Sequence, residues 1–131
     1  MKKILINISN PEDYNFFKRF YKAFEKLKIE VEYLANNLII YTMLKLKQEK
    51  VYIVKRKYRE KFVGVSFNEL TKRLSREEAE YVYGSVKKFM EEQYLKSKWD
   101  LIIIPSGRLI TQVAITEMAK RYGIKVLYVG Y

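Results

Sequence analysis

Trp99–Tyr131, WDLIIIPSGRLITQVAITEMAKRYGIKVLYVGY, reads as one complete strand, turn, helix and strand. Leu101-Ile102-Ile103-Ile104 is an unbroken apolar run of strand length and β-branched composition, as a parallel strand buried on both faces requires. Pro105-Ser106-Gly107 punctuates it. From Arg108 the apolar residues Leu109, Val113, Ile115, Met118 and Ala119 recur at helical spacing. Gly123 suits the left-handed residue just past a helix end, and Lys120 and Arg121 suit the negative end of the helix dipole. Lys125–Val129 returns as the next strand. The turn from Pro105 to Arg108 therefore lies at the carboxyl end of a parallel strand and against a helix N-terminus, where open α/β sheets bind ligands.

The preceding chain repeats this alternation. Lys3–Ile8 is a first strand, and Ser9-Asn10-Pro11-Glu12-Asp13 is a turn able to cap a helix. Tyr14 to Leu27 places Phe16, Phe17, Phe20, Phe24 and Leu27 on one stripe, as a helix covering a sheet does. Ile29–Leu34 alternates as a second strand, and Asn36 and Asn37 can cap a helix from Leu38 to about Glu49. Val51–Val54 is a third strand, and Phe62 to Leu74 carries no clear period. Ser75-Arg76-Glu77-Glu78 fits a capping box, opening a helix to about Lys98 with apolar positions Ala79, Val82, Val86, Phe89, Met90 and Leu95.

This order predicts a single Rossmann-like domain over residues 1–131, a three-layer α/β/α arrangement on a parallel sheet of about five strands. A strand order of 3-2-1-4-5 would set the turns after the first and fourth strands side by side at the switch point. Asn10, Pro11, Ser106, Gly107 and Arg108 would then line one ligand-binding crevice. Glycine permits close backbone approach, the helix N–H groups favour an anion, and Arg108 can clamp a carboxylate or phosphate. Glu12 and Asp13 are the carboxylates placed to act as a base there, or else simply to cap and charge the helix start.

Composition narrows the chemistry. The chain has no cysteine and no histidine, which removes thiol catalysis and the commonest metal ligands and general bases. Both the Gly-x-Gly-x-x-Gly dinucleotide fingerprint and the Walker phosphate loop are missing, so no cofactor and no metal enter the expected site. No run reaches the roughly 18 apolar residues of a membrane span, and the N-terminus does not resemble a signal peptide, so a cytoplasmic setting is expected. Abundant lysine and glutamate with no cysteine lean towards a thermophilic source.

A net charge of +11 favours an anionic partner: glycan, nucleotide, nucleic acid or an anionic membrane surface. The densest basic run, Lys55-Arg56-Lys57-Tyr58-Arg59-Glu60-Lys61, serves either as a solvated loop or as a surface for phosphate or lipid. Basic residues interleave with Tyr52, Tyr58 and Phe62, the pattern of a stacking surface, which makes a nucleic-acid-binding or nucleotide-binding module the alternative.

The opening ILINISNPEDYNFFKRFYKAFEKLKIEVEYLANN and the closing DLIIIPSGRLITQVAITEMAKRYGIKVLYVGY, about half the chain together, resemble the first and last N-terminal-domain segments of capsular polysaccharide biosynthesis proteins. These are glycosyltransferase-like proteins of GT-B architecture, related to Kdo transferases. The resemblance implies an acceptor-side domain, with an anionic glycan or nucleotide sugar as ligand and a second domain or partner subunit carrying most of the donor site. It leaves the chain's own enzymatic activity undecided. Two departures stand out: many relatives have an acidic residue just before the glycine matching Gly130, where this chain has Tyr128-Val129, and the chain stops at Tyr131 where they continue.

Overall fold

The computed structural model describes residues 2–105 and 109–129. Its elements follow the expected alternation: β1 Lys2–Ile8, α1 Pro11–Lys18, α2 Tyr21–Lys26, β2 Ile29–Ala35, α3 Leu38–Leu46, β3 Val51–Ile53, α4 Phe67–Leu70, α5 Arg76–Ser97, β4 Leu101–Ile104, α6 Ile110–Tyr122 and β5 Lys125–Tyr128. The five strands form one sheet in the order β3-β2-β1-β4-β5, with every neighbouring pair parallel. Register is continuous across the centre, since Ile4 pairs with Val31 on one side and with Leu101 on the other.

Alternating side chains divide the core into two layers, as the period of a strand demands. Leu5, Leu34, Ile102 and Ile104 face α5 and α6, packing on Val86, Met90, Ala114, Ile115 and Met118. Ile4, Ile6, Ile8, Tyr33 and Ile103 face the opposite layer of Tyr14, Phe17, Ile40 and Leu44. The apolar runs of β1 and β4 thus have the double burial their composition requires. Each fully buried Leu or Ile of this kind is worth about 1.5–3 kcal/mol relative to exposure.

Local signals set several boundaries. The Asn10 side chain accepts the Asp13 N–H and Pro11 occupies the first turn, so α1 begins three residues before the expected start at Tyr14. Asn37, not Asn36, caps α3 by accepting the Ile40 N–H. Ser75 and Glu78 complete the capping box of α5, and Gly123 ends α6 in the left-handed conformation at φ 68°.

Two expected core stripes are only partly buried. The chain turns at Arg19 and Phe20, through tight bonds to the Phe16 and Phe17 carbonyls, and splits the helix expected from Tyr14 to Leu27 into α1 and α2. Phe17 is buried, whereas Phe20 is 44% and Leu27 68% exposed, because the break at Arg19 and Phe20 interrupts the helical repeat that would keep the stripe on one face. The exposed ring of Phe20 instead continues an aromatic row from Phe16 to Phe24. Leu95, near the end of the long α5, is likewise exposed.

Candidate functional site

The carboxyl edge of the sheet is held by buried amides. Asn7, on β1 and fully buried, donates through Nδ2 to the Leu34 carbonyl at 3.0 Å and to Asn36 Oδ1 at 2.7 Å. Gln112 on α6 donates to Asn7 Oδ1 at 3.3 Å. Buried carboxamides are tolerated only when bonded in this way, and here the bonding ties β1, β2 and α6 together at the end where the sheet opens.

Residues 55–74 form a strap over α5. Ser85 Oγ accepts the Lys57 and Tyr58 N–H groups at 2.8 and 3.0 Å, and the Glu60 N–H reaches the Glu80 carbonyl. Gly84 permits this approach: a Cβ there would lie 2.4 Å from the Tyr58 carbonyl oxygen. Further on, the Arg76 guanidinium lies 3.7 Å from the centre of the Phe62 ring and donates to the Phe62 and Gly64 carbonyls. The far end of the strap reaches α6, where Asn68 Oδ1 accepts the Ile110 N–H at 2.8 Å.

Between the strap, the end of β2 and the start of α6 lies a cavity of about 140 Å³. Its polar lining includes Asn36, Arg56, Asn68, Arg73 and Thr111, over an apolar floor of Leu34, Val82 and Val86. Arg56 comes no nearer than 3.9 Å to Glu78, with both side chains about half exposed, so that pair restrains it little. No carboxylate is among the described lining residues.

Of the candidates read from sequence, the described ones, Asn10, Pro11, Glu12 and Asp13, lie where β1 ends. Asn10 and Pro11 are exposed where β1 ends, on the turn that opens α1, and are not among the residues lining the cavity. Asp13 is buried, and its Oδ2 accepts from the Ser9 N–H, the Ser9 hydroxyl and the Asn10 N–H, so it holds the turn in shape. Glu12 stands exposed beside it. Ser106, Gly107 and Arg108 lie outside the described residues, but Leu109, the next residue, lines the cavity. β1 and β4, the strands that precede the two predicted turns, are neighbours in the sheet.

Sequence reading missed Asn7, Asn68, Arg73 and Gln112 as parts of this edge. Asn7 carried a signal, being the polar residue of an otherwise apolar strand. Asn68 and Arg73 carried none, because they lie in the segment without a period. Of the three aromatics considered as stacking surfaces, Tyr52 packs on Phe89 with its hydroxyl on Glu32, and Phe62 packs on Tyr83, leaving Tyr58 exposed.

A second polar cluster sits at the opposite edge and is structural. Fully buried Glu32 accepts through Oε1 from Trp99 Nε1, the Ser97 hydroxyl and the Tyr52 hydroxyl, while Lys50 Nζ stands 2.9 Å from Oε2. Burial alone would raise the Glu32 pKa, but the bonds from Lys50, Trp99, Ser97 and Tyr52 outweigh it and hold the carboxyl below its ordinary range.

No protein-family model and no curated protein sequence matches the chain. Among solved structures it is similar to MurG of Acinetobacter baumannii, with a TM-score of 0.56 and 17% identity over 96% of this chain and 34% of that one. At that identity the likeness is one of fold, a Rossmann-like α/β domain that resembles part of the GT-B-like MurG fold. The chain spans 34% of the length of the MurG chain. Among the described residues, no helix is long and apolar enough to cross a membrane.

Proposed function

We propose that this chain is the acceptor-side domain of a glycosyltransferase-like protein of capsular or surface polysaccharide biosynthesis, with its ligand at the carboxyl edge of the sheet. The observation that carries the reading is the cavity at the carboxyl end of β2 and the start of α6, with no carboxylate among its described lining residues, on a fold shared with MurG. Charge supports an anionic glycan or the nucleotide sugar itself as ligand, because the +11 chain gathers anions and the cavity lining offers two guanidinium groups. The same charge would also hold the domain peripherally against an anionic membrane surface, where surface polysaccharides are assembled.

Transfer between two sugars needs donor and acceptor held together, which in a GT-B protein takes two lobes. The reading therefore has residues 1–131 acting as one domain that is inactive alone and completed by a second domain or subunit. Incubating the purified chain with a panel of nucleotide sugars and acidic acceptors should yield no transfer product. Detectable transfer by the chain alone would refute the division of labour.

The exposed Lys55, Arg56 and Lys57 favour a second reading, a nucleic-acid- or nucleotide-binding module. Its stacking aromatics are largely occupied within the core, which ranks it below the first. Gel shifts with RNA and DNA that persist near physiological salt and depend on these three residues would reverse the ranking.

A further inference from the structure

The asparagines of the cavity each have their carbonyl oxygen engaged. Asn7 Nδ2 donates to the Leu34 carbonyl, a backbone acceptor, so the atom of Asn36 that meets the same nitrogen must be its carbonyl oxygen. Asn68 is fixed in the same way, because the Ile110 N–H can meet only an oxygen. What both residues have left is chiefly donor capacity, two N–H bonds each against one remaining carbonyl lone pair. The charged part of the lining agrees: Arg56 and Arg73 contribute only donors, Ser85 Oγ is already engaged by the Lys57 and Tyr58 N–H groups, and Leu109-Ile110-Thr111 bring the positive end of the 13-residue α6 to the wall.

We propose that this cavity binds a phosphoryl group, held by Arg56 and Arg73 and by the NH₂ groups of Asn36 and Asn68. Residues bearing donors line the cavity from the end of β2, from both halves of the strap and from the start of α6. One guanidinium fork engages both oxygens of a planar carboxylate, whereas the three terminal oxygens of a phosphoryl group use donors arriving from several sides. At about 140 Å³ the space is well below the roughly 300–1,000 Å³ of pockets that enclose drug-sized ligands, which suits a phosphoryl group better than a whole nucleotide. The assignment rests on the glycosyltransferase-like reading for what the group is attached to, a sugar.

The test is calorimetric titration of the full chain with inorganic phosphate, glucose 1-phosphate and glucuronate, with melting curves for every variant. Saturable binding of the phosphates, about tenfold or more tighter than glucuronate, is expected. R56Q and R73Q should each weaken phosphate by about tenfold or more. N36D keeps an acceptor for Asn7 but replaces the donor with a negative charge, and should abolish binding without unfolding the chain. K45Q, on α3 away from the cavity, should change nothing. Glucuronate binding as tightly as the phosphates, no saturable phosphate binding, or phosphate binding insensitive to R56Q, R73Q and N36D would overturn the proposal.

The arms separate the two readings. Equal affinity for inorganic phosphate and glucose 1-phosphate, lost in the same variants, upholds the phosphoryl site while removing support for a sugar ligand. Binding of glucose 1-phosphate through other residues overturns the site and leaves the glycan reading standing.

Discussion

Asn68 Oδ1 caps the backbone N–H of Ile110 from 42 positions away, at 2.8 Å. One hydrogen bond thereby fastens the irregular strap to the first turn of α6 and closes one wall of the cavity.

Removing that cap should cost stability as well as shape. Asn68→Ala is expected to destabilise the chain by about 0.5–2 kcal/mol, the range for loss of a helix cap. Asn68→Asp keeps the oxygen and should lose less. Denaturant melts of the two variants beside the wild type check the ordering, and equal losses would show that the cap is energetically idle.

Gly84 tests the strap from the other side. An added Cβ would stand 2.4 Å from the Tyr58 carbonyl oxygen and 2.8 Å from the Glu60 nitrogen, both backbone atoms with little freedom to yield. Helix propensity favours Ala over Gly by about 1 kcal/mol, but overpacking costs about 1–3 kcal/mol. Gly84→Ala should therefore be destabilising on balance, with faster proteolysis in residues 55–61. A more stable variant with an unchanged cleavage pattern would show that the strap moves aside freely.

Glu32 ties acid stability to one buried group. Its folded pKa is depressed, so its contribution is complete above the ordinary value of 4.5 and is lost as pH falls through the lower folded value. Glu32→Gln should cost about 1.5–3 kcal/mol at pH 7, the range for hydrogen bonds to a charged group. Wild type and variant should converge in urea melts as the pH drops below 4.5. A gap that stays constant with pH would mean that the carboxylate charge contributes nothing.

Arg108, next to the cavity-lining Leu109, is expected to hold an anionic ligand by its guanidinium fork. Arg108→Ala should weaken acidic oligosaccharides or nucleoside diphosphates by about 1.5–3 kcal/mol, and Arg108→Lys should restore charge without the fork. Melting temperature should barely move in either. A large fall for Arg108→Ala would instead make the arginine part of the turn's structure.

The sheet was legible because its strands are short apolar runs separated by clear punctuation: Asn10-Pro11 after β1, Asn37 before α3, Ser75 before α5 and Gly123 after α6. Each of these is a local physical requirement, visible without tertiary context. The exposure of Phe20 and Leu27 was not legible, since it follows from the turn at Arg19 and Phe20, which no proline or glycine marks. The cavity was hidden for a related reason. Its walls are built by long-range bonds, Asn7 to Asn36 and Asn68 to Ile110, from residues with no shared sequence pattern, whereas the turn at Asn10 announced itself by its capping chemistry.

The central claim is that ligand chemistry belongs to the carboxyl edge of the sheet. Amide-resolved NMR titration with an acidic oligosaccharide bearing a phosphoryl group tests it most directly. The account predicts saturable shifts concentrated at Asn7, Asn36, Arg56, Asn68, Arg73 and Leu109–Gln112, with Glu32, Lys50 and Trp99 at the opposite edge unmoved. Shifts centred on that opposite edge, or spread evenly over the lysines of the surface, would contradict it.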